Sequence, residues 1–119
     1  MKKQLFSDYQ QTLDYFFHSR PHGTIKLGLS RIKKLLELIG NPQRKFDALQ
    51  IAGTNGKGSV TRLLSTIFTE SAYRTGANYS PHLIRFNERI SFNNQFITNE
   101  EIVAMANEIY EAVHSMDQI

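Results

Sequence analysis

Three glycines, a lysine and a serine hydroxyl fall within seven residues at Gly53-Thr54-Asn55-Gly56-Lys57-Gly58-Ser59, a set of groups suited to wrapping phosphate. Glycine adopts positive φ and has no Cβ, so a chain rich in it curls and turns successive N–H groups toward one anion. Lys57 adds a mobile point charge for β- and γ-phosphates, and the Ser59 hydroxyl is a candidate ligand for Mg²⁺. The implied chemistry is nucleotide binding, with Gly53, Thr54, Asn55, Gly56, Lys57, Gly58 and Ser59 around the phosphates and Lys57 as the catalytic cation.

The spacing departs from a strict Walker A loop, which has Gly six residues before the Lys and Ser or Thr directly after it. Ile51 and Gly58 stand at those positions. The competing reading is a glycine-rich turn that merely joins two elements. A phosphate loop must be fed by a strand and must open a helix, and both are expected. Residues 48–52 (Ala-Leu-Gln-Ile-Ala) read as a short buried strand, and residues 59–72 as a helix with Val60, Leu63, Leu64, Ile67 and Phe68 turned inward. The start of that helix adds unpaired N–H groups and a positive dipole end at the same place.

Around this unit, residues 4–18 carry Leu5, Phe6, Tyr9, Leu13, Phe16 and Phe17 at helical spacing, ending before Arg20-Pro21. His18 and His22 stand four apart, but Pro21 and Gly23 argue against one helix presenting both to a metal. Leu29, Ile32, Leu35, Leu36 and Ile39 form an apolar stripe stopped by Gly40-Asn41-Pro42. A second strand is expected within 75–79, which would make a parallel strand–helix–strand unit. Ile90-Ser91-Phe92 and Gln95-Phe96-Ile97 flank Asn93-Asn94 as a hairpin. Thr98 and Glu101 have capping-box spacing before a helix carrying Ile102, Val103, Ala106, Ile109, Tyr110 and Val113.

The 119 residues allow a single domain, and the absence of cysteine removes disulfides and thiolate metal sites. No apolar run approaches a membrane span, and Met1-Lys2-Lys3 is not followed by the apolar stretch of a signal peptide, so a cytoplasmic location is expected. Within the net charge of +3, the segment after Asn99 holds Glu100, Glu101, Glu108, Glu111 and Asp117 with no Lys or Arg. The basic residues elsewhere are scattered rather than interleaved with aromatics, so nucleic acid is weakly signalled; an anionic small ligand explains the excess as well, and solvated helix faces explain most of it. Two parallel strands are too few for a sheet covered on both faces. The reading is therefore an α/β chain with an incomplete parallel sheet and flanking helices, whose unpartnered sheet edge and apolar helix faces predict marginal stability, association or a missing remainder.

Several ordered motifs beyond the loop carry a resemblance. They are Thr24-Ile25-Lys26-Leu27-Gly28-Leu29-Ser30-Arg31-Ile32, Gly40-Asn41-Pro42-Gln43, Gly53 to Ser59 with its glycine between lysine and hydroxyl, Ser80-Pro81-His82-Leu83, and Arg85-Phe86-Asn87-Glu88-Arg89-Ile90. Together they resemble the N-terminal part of the folylpolyglutamate synthase and dihydrofolate synthase family, relatives of the Mur ligases. The resemblance implies a P-loop NTPase-like fold, with residues 1–119 as the first part of an ATP-binding ligase domain and the second domain absent. It implies an ATP-dependent ligase that adds L-glutamate to tetrahydrofolate or to dihydropteroate through an acyl phosphate, with ATP and Mg²⁺ as cofactors. It assigns Ser59 and Ser80 to Mg²⁺, Thr24, Ile25 and Lys26 to the pteridine substrate, and Arg85 and Arg89 to anionic substrate groups. Asn78-Tyr79 departs from the Tyr-Thr or Tyr-Ser usual before this serine, and the family's acidic metal ligand and modified lysine have no counterpart. Two alternatives stand beside these roles: a non-catalytic nucleotide-binding or interaction module, and a surface salt-bridge cluster for Arg85, Glu88 and Arg89.

Overall fold

The computed structural model describes residues 5–19 and 28–117. Its helices are α1 (Tyr9–His18), α2 (Ser30–Leu38), α3 (Lys57–Glu70) and α4 (Asn99–Asp117), and its strands are β1 (Gly76–Asn78), β2 (Ile90–Phe92) and β3 (Gln95–Phe96). The chain divides into two compact units, Met1–Ala48 with Glu100–Ile119, and Leu49–Asn99.

The first unit is helical. Asp8 starts α1 by accepting the Gln11 N–H at 2.9 Å, which is why the helix begins later than the apolar spacing from Leu5 suggests. The segment ahead of it is fastened by Asn107 of α4, whose Oδ1 accepts the N–H groups of Leu5 and Phe6 at 2.7 and 2.9 Å. The same amide donates to the Phe6 carbonyl at 3.0 Å. This seats Phe6 in the core, 5.1 Å from the Tyr15 ring and 5.7 Å from the Tyr110 ring, with Ile102 and Ala106 also buried. Helix α2 ends where Gly40 and Asn41 take positive φ (83° and 52°), with Asn41 N–H donating to Leu36 O at 2.7 Å.

The second unit holds the glycine loop, α3 and a three-stranded antiparallel sheet in the order β1-β2-β3. Gly76 faces Phe92 and Asn78 faces Ile90, while Ser91 faces Phe96. The hairpin turns on Asn93 and Asn94, both left-handed (φ 46° and 64°), the pattern of a two-residue loop whose twist matches its strands. Both side chains also act as fasteners. Asn93 Oδ1 accepts the Thr75 N–H at 2.9 Å, and Asn94 Oδ1 accepts the hydroxyl of buried Ser65 on α3 at 2.9 Å.

Two expectations are corrected here. The α/β class stands, but the parallel strand–helix–strand unit does not form among the described residues: 48–52 is not a strand, and β1 pairs antiparallel with β2. A parallel ladder needs an adjacent strand joined through a long crossover, whereas β2 and β3 close through two residues at small entropic cost. The inward face assigned to α3 is also wrong in part, because Val60, Leu63 and Ile67 are 43%, 64% and 58% exposed. Ser65 is the buried residue of α3, and Leu64 and Phe68 are half-buried. The three exposed side chains stand at i, i+3 and i+7 and so share one face of α3, which no strand of the described residues covers.

Candidate phosphate-binding site

Helix α3 opens directly out of the glycine loop. Gly56 is its N-cap in left-handed backbone (φ 74°), and no side chain caps the helix end. The first intrahelical bond runs from Val60 N–H to Gly56 O at 2.9 Å. The N–H groups of Lys57, Gly58 and Ser59 therefore have no partner within the helix and sit at the positive end of its dipole. A Cβ at Gly56 meets no atom within 4 Å, so backbone conformation rather than space requires glycine there. Gly58 has neither positive φ nor a close neighbour, and nothing in the fold of the loop itself requires it.

Lys57 bends back across this loop and donates from Nζ to the Gly53 carbonyl at 2.7 Å. Its ammonium is thus held over the loop between Gly53 and the start of α3, and every residue from Gly53 to Ser59 is exposed. Uncapped amides, a dipole end and a cation converging on one exposed loop can bind a polyphosphate.

A second loop of the same unit carries Ser80, Arg85 and Arg89. Ser80 is exposed and precedes Pro81 through a cis peptide bond. The salt-bridge reading of the following cluster is not what is found: no ion pair joins Glu88 to either arginine among the described residues. Glu88 instead accepts three backbone N–H groups, from Leu83 at 2.8 Å, Ile84 at 3.0 Å and Arg85 at 2.7 Å. The bonds from Leu83 and Arg85, then that from Ile84 and the charge of nearby His82, hold its carboxyl below the ordinary carboxylate value. Arg89 donates from Nε to His82 Nδ1 at 2.8 Å, and its guanidinium lies 5.7 Å from the centre of the Phe86 ring.

The two arginines therefore part company. Arg85 lines an open cleft of about 660 Å³ with Ile84, Phe96, Ile97 and Asn99, and donates to Asn99 Oδ1 at 3.2 Å. Arg89 is occupied with the loop's own His82 and Phe86. Thr24, Ile25 and Lys26 lie outside the described residues. Sequence reasoning did not foresee the part played by Glu88, although its position three residues after Arg85 is the spacing of a helix-start cap. Nor did it foresee buried Asn87, which donates to Ile97 O at 2.8 Å and Asn99 Oδ1 at 3.0 Å and so ties the loop to the strand end.

Known proteins similar to this chain in sequence and in fold are consistent among themselves. No protein-family model matches the chain. It is 39% identical over 114 residues to the dihydrofolate synthase/folylpolyglutamate synthase of Bacillus subtilis, covering 96% of this chain and 26% of that protein. Folylpolyglutamate synthase of Thermotoga maritima superposes with a TM-score of 0.84 at 38% identity, covering 93% of this chain and 25% of that one. A folylpolyglutamate synthase complex with AMPPCP and folate gives 0.79 at 30% identity, covering 93% and 27%. The fold is that of the Mur-type ligases. Within them the chain belongs to the folylpolyglutamate synthase and dihydrofolate synthase family, and spans about a quarter of the length of the relatives it matches.

Proposed function

We propose that this chain carries the ATP-phosphate-binding part of a cytoplasmic ligase that joins L-glutamate to a folate, tetrahydrofolate or dihydropteroate. The observation that supports it most is the Gly53–Ser59 loop, with Lys57 held across it and three uncapped amides opening α3. In the proposed reaction the acceptor carboxylate attacks the γ-phosphorus of ATP, the bond to ADP breaks, and an acyl phosphate forms. The amino group of glutamate then attacks the acyl carbon, loses a proton, and expels inorganic phosphate. The demand on the protein is to keep reactants in line and to neutralise charge on the transferring phosphoryl. Lys57 and the loop amides meet that demand at the phosphates, and Arg85, which lines the open cleft, at anionic groups of the acceptor, with Arg89 the weaker candidate because His82 and Phe86 engage it.

Mg²⁺ would be held by Ser59 and Ser80 together with phosphate oxygens. Two neutral hydroxyls fit an ion that keeps much of its water and arrives with the nucleotide, and they do not form a dedicated cage. The ion supplies charge neutralisation on the phosphates. Thr24, Ile25 and Lys26 are proposed to meet the pteridine.

The test is a chimera in which residues 1–119 replace the matching segment of the Bacillus subtilis relative. ATP-dependent incorporation of glutamate into dihydropteroate or tetrahydrofolate, abolished by Lys57→Ala, is expected. A folded chimera that binds ATP but never forms the amide would favour a non-catalytic nucleotide-binding module.

A further inference from the structure

Leu83 and Ile84 are 91% and 86% exposed, an unfavourable place for two adjacent large apolar side chains. A free loop would fold them down against the nearby apolar surface of Phe96 and Ile97. They are kept out because their backbone is fastened: the Leu83 N–H goes to Glu88 Oε2, and those of Ile84 and Arg85 share Glu88 Oε1. The loop's other end is closed by the Arg89 to His82 bond, with the Arg89 guanidinium over the Phe86 ring at 5.7 Å and the His82 ring edge-on to it at 6.1 Å. All of these residues lie in one unit, and Leu83, Ile84, Arg85 and Glu88 line the same cleft.

We propose that Glu88 is a positioning residue: through three backbone amides it presets the Leu83–Arg85 segment so that the acceptor substrate meets a fixed wall of two apolar side chains and one guanidinium. This rests on the folate-ligase reading for the identity of the acceptor. The Glu88 carboxylate is taken up by those three amides and acts on the acceptor through them. It lowers the ordering cost of binding, since a loop already in its bound shape loses less freedom when the ligand arrives. The titratable group whose charge acts on its carboxylate is His82, while the side chains of Arg85 and Arg89 go to Asn99 and His82, and the loop has no other acid among the described residues.

The division of bonds between the two carboxylate oxygens makes the test specific. Glu88→Gln keeps one carbonyl oxygen for Ile84 and Arg85 but turns an amide NH₂ toward the Leu83 N–H. Hydrogen exchange on the full chain should therefore speed up at Leu83 alone by about tenfold, the scale of one lost charge-assisted bond, and at all three amides in Glu88→Ala. Titration with dihydropteroate and with tetrahydrofolate, each in the presence of Mg-ATP, should show acceptor affinity falling about tenfold in Glu88→Ala with Mg-ATP affinity unchanged. Equal exchange at the three amides in wild type and Glu88→Ala would overturn the proposal, as would parallel loss of nucleotide and acceptor binding. Wild-type chain that binds Mg-ATP and neither acceptor would also overturn it, while leaving the nucleotide site standing.

Discussion

Lys57 and Gly53 are joined by a 2.7 Å hydrogen bond from the ammonium to the carbonyl oxygen, four residues back across the glycine loop. Both partners are exposed, so the bond competes with water and adds little to folding. Stability and ligand binding should therefore separate at this position. Lys57→Met should change the urea-unfolding free energy by no more than about 0.5 kcal/mol, the usual range for a surface substitution. The fold is kept and the cation is lost.

Gly56 and Gly58 should respond in opposite ways. Gly56 has φ 74°, so Gly56→Ala should destabilise the protein by about 1 kcal/mol, the cost of a Cβ in left-handed backbone. Gly58 lies inside the first turn of α3 with no such φ, and a Cβ added there would meet open space, so Gly58→Ala should be neutral or stabilising by up to about 1 kcal/mol. Chemical denaturation of the two variants reads the difference. If Gly58 serves phosphate rather than fold, nucleotide affinity falls in both.

Asn94 combines a turn conformation with a bond to buried Ser65, and two substitutions separate those roles. Asn94→Gly keeps the left-handed backbone and leaves the Ser65 hydroxyl without its acceptor, which should cost about 1–2 kcal/mol. Asn94→Ala adds conformational strain of about 1 kcal/mol. Urea unfolding should rank them wild type, Gly, Ala in falling stability, and equal values for Gly and Ala would show that φ is not limiting.

How much of this was legible in the sequence follows from whether the deciding contacts are local. The stop at Gly40-Asn41, the Asn93-Asn94 turn and the helix after Thr98 depend on backbone preferences of a few neighbouring residues, and all three appear as read. The strand expected at 48–52 depends on a neighbour strand far along a chain, which no local pattern supplies. The apolar residues of α3 marked an amphipathic helix correctly, but Val60, Leu63 and Ile67 mark a face to be covered rather than a face that is covered. At the second loop the charges of Arg85, Glu88 and Arg89 suggested ion pairs. Backbone amides won instead, because they lie three to five residues from the carboxylate and need no long side chain to be ordered.

Glu88 also sets a pH response. Its folded-state pKa lies below the ordinary 4.5, so the loop's three bonds are at full strength above that value and are lost as pH falls through the lower, folded one. Amide chemical shifts of Leu83, Ile84 and Arg85 should stay constant through neutral pH and move together in acid. In Glu88→Gln the acid transition should be missing at all three.

Binding of Mg-ATP by titration calorimetry, on wild type and Lys57→Ala side by side, tests the central claim most directly. The expected result is one site in the wild type and an affinity lower by at least about tenfold in the variant, the loss of one charge-assisted phosphate contact, with the thermal unfolding midpoint nearly unchanged. Absence of nucleotide binding by the folded wild-type chain, or equal affinity in the two proteins, would contradict it.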